Sequence, residues 1–255
     1  MKGKIKAVTF DLWDTIIVDD SDEPKRAAKG LLPKYLTRRE LVWEFLEKQE
    51  PIAKELVNIS YAATDAAFRK VWYDHSFTWS VNGRLEVVLK GLGRTLPAVE
   101  MAELVRLHEE MELEIQPDIA PGIVEAIKGL HGKYKLGVIS DTIFSSGRVL
   151  RKLLHANDIE QYFDVFIFSD EVGCSKPDPR AFQAAARGLG VDVKTIVHVG
   201  DRDAKDIKGP QSLGAKGIYT TVINDRGSAA TSADAICRDY AELVEIVDTL
   251  SGMVS

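Results

Sequence analysis

Cysteine is scarce in this chain: its 255 residues include two, Cys174 and Cys237. Two thiols make neither a disulfide framework nor a zinc site, so a reducing, cytoplasmic setting is expected. Long apolar runs are missing as well. No stretch reaches the roughly 18 residues of a membrane span, and the start Met1-Lys2-Gly3-Lys4-Ile5-Lys6 has no hydrophobic signal region, so no membrane association or secretion is expected. Positive charge is not in excess. The net charge is −6 and the pI is near 5.5, without the basic stripe that a nucleic-acid partner requires. Asn and Gln total nine, a sparing use of thermolabile amides seen in heat-adapted proteins. What is present is ordinary for a folded enzyme-sized chain: 45% hydrophobic and 28% charged residues, enough for one or two domains with a full core.

Five apolar runs rich in β-branched residues read as buried parallel strands: Ile5 to Phe10, Leu136 to Ser140, Val165 to Phe168, Thr195 to Gly200 and Gly217 to Val222. Helical patterns separate the later ones. Pro121 offers a start before Ile123, Ile127 and Leu130; Val149, Leu150, Leu153 and Leu154 form a stripe; Phe182 to Leu189 forms another; and Tyr240, Leu243, Val244, Val247 and Leu250 line a last helix. Alternating strands and helices imply an α/β fold with a doubly wound parallel sheet.

The first strand breaks this rhythm. Residues 18–117 read as helical throughout, which predicts an all-helical cap domain inserted into an α/β core made of 1–17 and 118–255. Thr37 and Glu40 have capping-box spacing ahead of Leu41, Val42, Phe45 and Leu46. Further helices are expected to begin near Pro51, Ala62, Asn82 and Pro97. The connectors are the acidic run Asp19 to Pro24 and the segment Gln116 to Gly122, and an insertion tethered at two points can act as a lid.

Ligands of open α/β sheets bind at the carboxyl ends of the strands, where the strand order reverses. The first strand delivers Phe10-Asp11-Leu12-Trp13-Asp14-Thr15 there, the second Ser140-Asp141, and the fourth Gly200-Asp201-Arg202-Asp203-Ala204-Lys205-Asp206. Ser175-Lys176-Pro177-Asp178-Pro179 leads into a helix after the third. Carboxylates crowded at one rim repel unless a cation joins them, and oxygen ligands favour Mg²⁺. With a lysine and a hydroxyl, such a metal is equipped to hold a phosphoryl group.

Taken in order, Asp11 to Thr15, Ser140, Lys176-Pro177, and Gly200-Asp201 with Asp206 resemble the haloacid dehalogenase superfamily, in the subgroup with a helical cap directly after the first motif. The resemblance covers the whole chain. It implies that Asp11 is a nucleophile forming an aspartyl-phosphate, that Ser140 bonds a phosphoryl oxygen, and that Lys176 offsets charge at the reacting centre. It also implies Mg²⁺ held by Asp11, the Trp13 carbonyl and Asp201, with Asp206 orienting waters or Lys176.

Position 13 departs from the pattern. Phosphatases of the superfamily usually carry an acid–base Asp two residues after the nucleophile, and an indole has only a non-acidic N–H. The dehalogenases commonly have an aromatic there, but they need no metal and lack the Asp201/Asp206 pattern. The expectation is therefore a Mg²⁺-dependent phosphohydrolase acting on a small phosphorylated molecule. The alternatives are a metal-independent 2-haloacid dehalogenase and a phosphate-binding regulatory protein. Asp14, where glycine is common, is a further candidate for the missing acid. His198, within an apolar strand, reads as a core residue, Cys174 as a bystander, and Trp72, Tyr73, Phe77 and Trp79 as cap packing. Gly91-Leu92-Gly93 and Gly188-Leu189-Gly190 read as helix ends.

Overall fold

The computed structural model describes residues 4–252. Among these residues, the strands β1 (Ala7–Phe10), β2 (Lys135–Ser140), β3 (Val165–Phe168), β4 (Ile196–Gly200), β5 (Lys216–Thr220) and β6 (Ala235–Cys237) form one sheet. Its order is β3-β2-β1-β4-β5-β6, parallel throughout. The chain leaves β1 to build one half of the sheet and returns beside it to build the other, so the order reverses between β1 and β4. That reversal opens a crevice at the carboxyl ends of these two strands.

Helices α1 (Asp22–Ala28), α2 (Lys34–Glu47), α3 (Lys54–His75), α4 (Val81–Gly91), α5 (Ala98–Glu109), α6 (Met111–Glu114) and α7 (Ile123–Leu130) lie between β1 and β2 in the chain. After β2 come α8 (Gly147–Ala156), α9 (Ser169–Val172), α10 (Pro179–Leu189), α11 (Gly209–Gln211) and α12 (Leu243–Leu250). The chain forms two compact units. The sheet unit comprises residues up to Asp19, Pro117–Asp141 and Leu154 onward; the helical unit comprises Asp20–Gln116 and Thr142–Leu153. Among the described residues, no helix is long and apolar enough to cross a membrane.

In the sheet unit, β1 and β4 are buried along their whole length, as central parallel strands must be. Helix α10 lays Ala181, Phe182 and Ala185 against Ile139 and Ile167, and Ala186 and Leu189 against Ala7 and Ile196. In the helical unit, Val42 and Leu46 of α2, Val57 and Tyr61 of α3, Leu85 and Val88 of α4 and Leu104 of α5 make a separate core.

Several local expectations change. Helix α2 begins at Lys34, after Pro33 in an extended conformation, so Thr37 is inside the helix and caps nothing. Its hydroxyl turns back to the Pro33 and Leu32 carbonyls, the usual fallback of a mid-helix Thr, while Glu40 pairs with Lys54. No break occurs near Ala62: residues 54–75 contain neither Gly nor Pro, and α3 runs through them to Ser76 in the left-handed region. Helix α7 starts at Ile123, two residues after Pro121. Strand β6 gave no sequence signal because it is a three-residue edge strand. Gly93 and Gly190 do take left-handed conformations just past α4 and α10, as helix ends should.

His108 on α5 is fully buried, its Nδ1 2.8 Å from the Leu104 carbonyl and its ring parallel to Tyr61. Burial, with Arg38 adding to it, pushes its pKa down from 6.5 to about 3. The unfolded chain therefore takes up this proton first as the pH falls. The contribution of the neutral ring is complete above about 6.5 and is lost progressively towards about 3. His108→Leu should make the melting temperature fall less steeply than in the natural chain across that window. Identical slopes in scanning calorimetry would contradict this.

Candidate active site

Asp11 follows β1 directly and Asp201 follows β4, and the N–H of Asp11 donates to the Val199 carbonyl at 2.9 Å. Adjacency of β1 and β4 thus places the two carboxylates side by side. Asp206 returns to the same spot because Asp203–Lys208 form a π-helical turn, a wide turn frequent at functional sites. Gly200 makes the room: a Cβ there would meet the Asp206 Cβ and Cγ at 2.5 Å. One oxygen from each of Asp11, Asp201 and Asp206 lies within 4.8 Å of the other two, and all three residues are buried.

A single ammonium reaches into this group. Lys176 Nζ donates to Asp11 Oδ1 and to Asp206 Oδ1, at 2.6 Å each. Its backbone N–H is fixed by Asp141 Oδ1 at 2.9 Å, and the other Asp141 oxygen accepts from Lys205 Nζ at 2.7 Å. Asp206 Oδ2 accepts the Arg202 N–H at 3.0 Å. Below it sits His198, fully buried in β4, with Nε2 3.3 Å from Asp206 Oδ1 and Nδ1 2.9 Å from Thr9 Oγ1.

Burial is the largest influence on Asp11, Lys176, His198, Asp201 and Asp206. It pushes Asp11 up to about 7 against the pull of Lys176, and Asp206 and Asp201 push the same way. Asp201 rises to about 6 through burial and the Asp206 charge. Asp206 moves oppositely: burial resists its ionisation, but Lys176 and His198 hold it well below the ordinary carboxylate range. Burial lowers His198 to about 4, so the ring is neutral near pH 7. A proton on Nε2 then satisfies both contacts, donating to Asp206 and accepting from Thr9.

With Asp14, four buried carboxylates face two cations, Lys176 and the Arg226 guanidinium, and the imbalance calls for a further one. Asp201 Oδ1 is buried with no hydrogen-bond partner, and an all-oxygen donor set suits a hard divalent ion. The residues present fit such a metal.

The structure thus brings together Asp11, Lys176, Asp201 and Asp206. Ser140 is buried at the end of β2, next to β1, with its hydroxyl 3.4 Å from the Asp141 carbonyl. Trp13 is half-buried on a loop that closes on itself, with the Ile16 and Ile17 N–H groups donating to the Leu12 carbonyl and the Asp14 N–H to Ile17. Cys174 is buried, and burial raises its thiol pKa, which leaves it unreactive. Sequence reasoning missed Arg226, on the loop after β5. Its guanidinium bonds both Asp14 and Asp201. The rule that drew attention to the ends of the first, second and fourth strands, applied to the fifth, points to this loop. Lys205 was visible within its motif, but its role in bracing Asp141 depends on the π-turn.

Comparison with known proteins gives three concordant findings. The family profile described as haloacid dehalogenase-like hydrolase matches residues 5–214. The glyceraldehyde 3-phosphate phosphatase of Methanocaldococcus jannaschii is 27% identical over 255 residues, covering 96% of this chain and 98% of that protein. Among solved structures, a HAD phosphatase from Thermococcus onnurineus (TM-score 0.63, 24% identity, 95% and 98% coverage) and a 2-haloacid dehalogenase from Pseudomonas syringae pv. Tomato DC3000 (0.67, 24%, 96% and 99%) share the fold.

Gly200 offers a direct test of this packing. Gly200→Ala forces a methyl into Asp206 and should destabilise the fold by about 1–3 kcal/mol, the usual range for overpacking. Urea unfolding at natural stability would show that Asp206 does not pack against this residue.

Proposed function

The chain belongs to the haloacid dehalogenase-like hydrolase family, and from that premise we propose that it is a Mg²⁺-dependent phosphohydrolase acting on a small phosphorylated molecule. The observation that carries this reading is the buried carboxylate trio around Lys176. The full-length phosphatase relative supports the reaction class.

In this reading an Asp11 carboxylate oxygen attacks phosphorus, and the bond from phosphorus to the leaving oxygen breaks with its electron pair going to that oxygen. Water then attacks the aspartyl-phosphate, releasing inorganic phosphate and restoring Asp11. Lys176 holds Asp11 in place and offsets negative charge on the transferring group. Ser140 donates its hydroxyl to a phosphoryl oxygen. Asp11, the Trp13 carbonyl and Asp201 would hold the metal, while Asp206 fixes Lys176, the partner it already has. When bound, Mg²⁺ supplies a Lewis acid for the phosphoryl oxygens.

Trp13 favours a second reading, the dehalogenase, in which Asp11 attacks carbon and displaces halide. Against it stands the buried Asp201/Asp206 pair, where Asp201 Oδ1 has no hydrogen-bond partner within a group of carboxylates that outnumbers its cations. Phosphate esters and 2-chloroacids offered with Mg²⁺ and with EDTA separate the two. Phosphate release with Mg²⁺ and none with EDTA is expected; halide release, or phosphate release that survives EDTA, would contradict the proposal. Asp11→Asn should abolish turnover while the melting curve stays cooperative, because the amide is nearly isosteric but a poor nucleophile.

Asp14 does not replace the acid usually found at position 13. Asp14 is buried, with one carboxylate oxygen accepting the Asp19 N–H and the other taken by Arg226. Leaving groups must therefore depart without that proton. Aryl and acyl phosphates should react far faster than alkyl phosphates, because general acid catalysis is worth about 10²–10⁴-fold and matters most for basic leaving oxygens. Trp13→Asp should raise the rate selectively for alkyl esters. A flat dependence on leaving-group pKa in the natural protein, with chemistry rate-limiting, would show that another group donates.

A further inference from the structure

Arg226 has no place in the motifs that define the site, yet it touches two of them. Its Nε–H donates to Asp201 Oδ2 at 2.5 Å, and its Nη2–H to Asp14 Oδ2. The opposite oxygen, Asp201 Oδ1, is the buried one with no hydrogen-bond partner. The carboxylate is therefore divided: one oxygen is held by the Arg226 guanidinium, and the other makes no hydrogen bond, its nearest charged partner being Arg202 Nε at 4.0 Å. The arginine itself enters from the open side, its side chain 40% exposed and its partners 5% and 1%.

The rest of the loop is built to hold it. The Asp225 carboxylate accepts the N–H groups of Gly227 at 3.0 Å and Ser228 at 2.7 Å, pinning the backbone on either side of Arg226. Asp14 sits at φ 54°, a left-handed conformation that glycine adopts freely and an L side chain does not. Its carboxylate, not its backbone preference, is what suits this position. The Arg226 fork links the Asp11 loop to the β4 loop, and a planar fork holds two carboxylates in fixed relation as a lysine does not.

We propose that Arg226 is a positioning residue for the metal site, orienting Asp201 so that a single oxygen, Oδ1, is presented to Mg²⁺. The inference rests on the metal-dependent reading above. It assigns Arg226 to cooperate with the cation through the far oxygen of a shared ligand, not to compete for the same one. Partners that orient metal ligands typically change affinity by about 10–100-fold when removed.

Titration calorimetry with MgCl2, paired with melting temperatures in EDTA, tests this. Arg226→Gln should weaken Mg²⁺ binding by about 10–100-fold, beyond what any fall in the EDTA melting temperature accounts for. Arg226→Lys should recover part of the affinity, since it keeps the charge and loses the fork. Asp14→Asn, which frees the other arm of the fork, should weaken binding less than Arg226→Gln. Unchanged or tighter binding in Arg226→Gln overturns the proposal, tighter binding meaning that the guanidinium competes with the ion. A loss of affinity that appears only with a matching loss of melting temperature also overturns it, making Arg226 a strut. No Mg²⁺ binding by the natural protein would instead remove the metal reading itself, and this inference with it.

Discussion

One lysine is shared between two buried carboxylates, and the sheet unit is arranged around that fact. Removing an ionised carboxylate from water costs several kcal/mol even after the protein relaxes. Lys176 donates to both at 2.6 Å, yet Asp206 is held below its ordinary pKa while burial and the neighbouring carboxylates push Asp11 up to about 7. The surroundings reinforce the split. Neutral His198 and the Arg202 N–H donate to Asp206 in addition to Lys176, while Asp201 Oδ1 is left with no hydrogen-bond partner. Gly200, the π-turn and the adjacency of β1 and β4 are what allow the three carboxylates to approach at all.

The helical unit handles its buried charge differently. Asp22 and Glu112 are buried there, and Lys34 and Arg38 face them, with Ser145 donating to Glu112 at 2.6 Å. Two buried acids meet two buried bases, and the exposed Asp20 pairs with Lys34 as well. In the sheet unit Asp11, Asp14, Asp201 and Asp206 outnumber Lys176 and Arg226.

Much of this was legible in the sequence because it is carried by local pattern. β-branched runs marked five of the strands, and the acidic residues directly after β1 and β4 announced themselves by position. Asp14 was noticed as a departure from glycine, but its partner was not, because Arg226 lies 212 residues away and meets it only through the sheet order. His198 was correctly read as buried; its bond to Asp206 needed the π-turn to be seen. Thr37 misled because capping-box spacing says nothing of where Pro33 has already started the helix. The extra break expected near Ala62 came from reading one long helix as two. Strand β6 is too short to carry any periodicity.

The account stands on Asp11 forming a covalent bond to the phosphoryl group. The direct measurement is acid quenching during turnover of an acyl or aryl phosphate with Mg²⁺, followed by mass analysis of the peptide that contains Asp11. The account predicts a mass increase of one phosphoryl group on Asp11, lost on standing at neutral pH and absent in the Asp11→Asn protein. Steady phosphate release with single-turnover quenches that never show the modified peptide, or a phosphoryl group found on another residue, would contradict it.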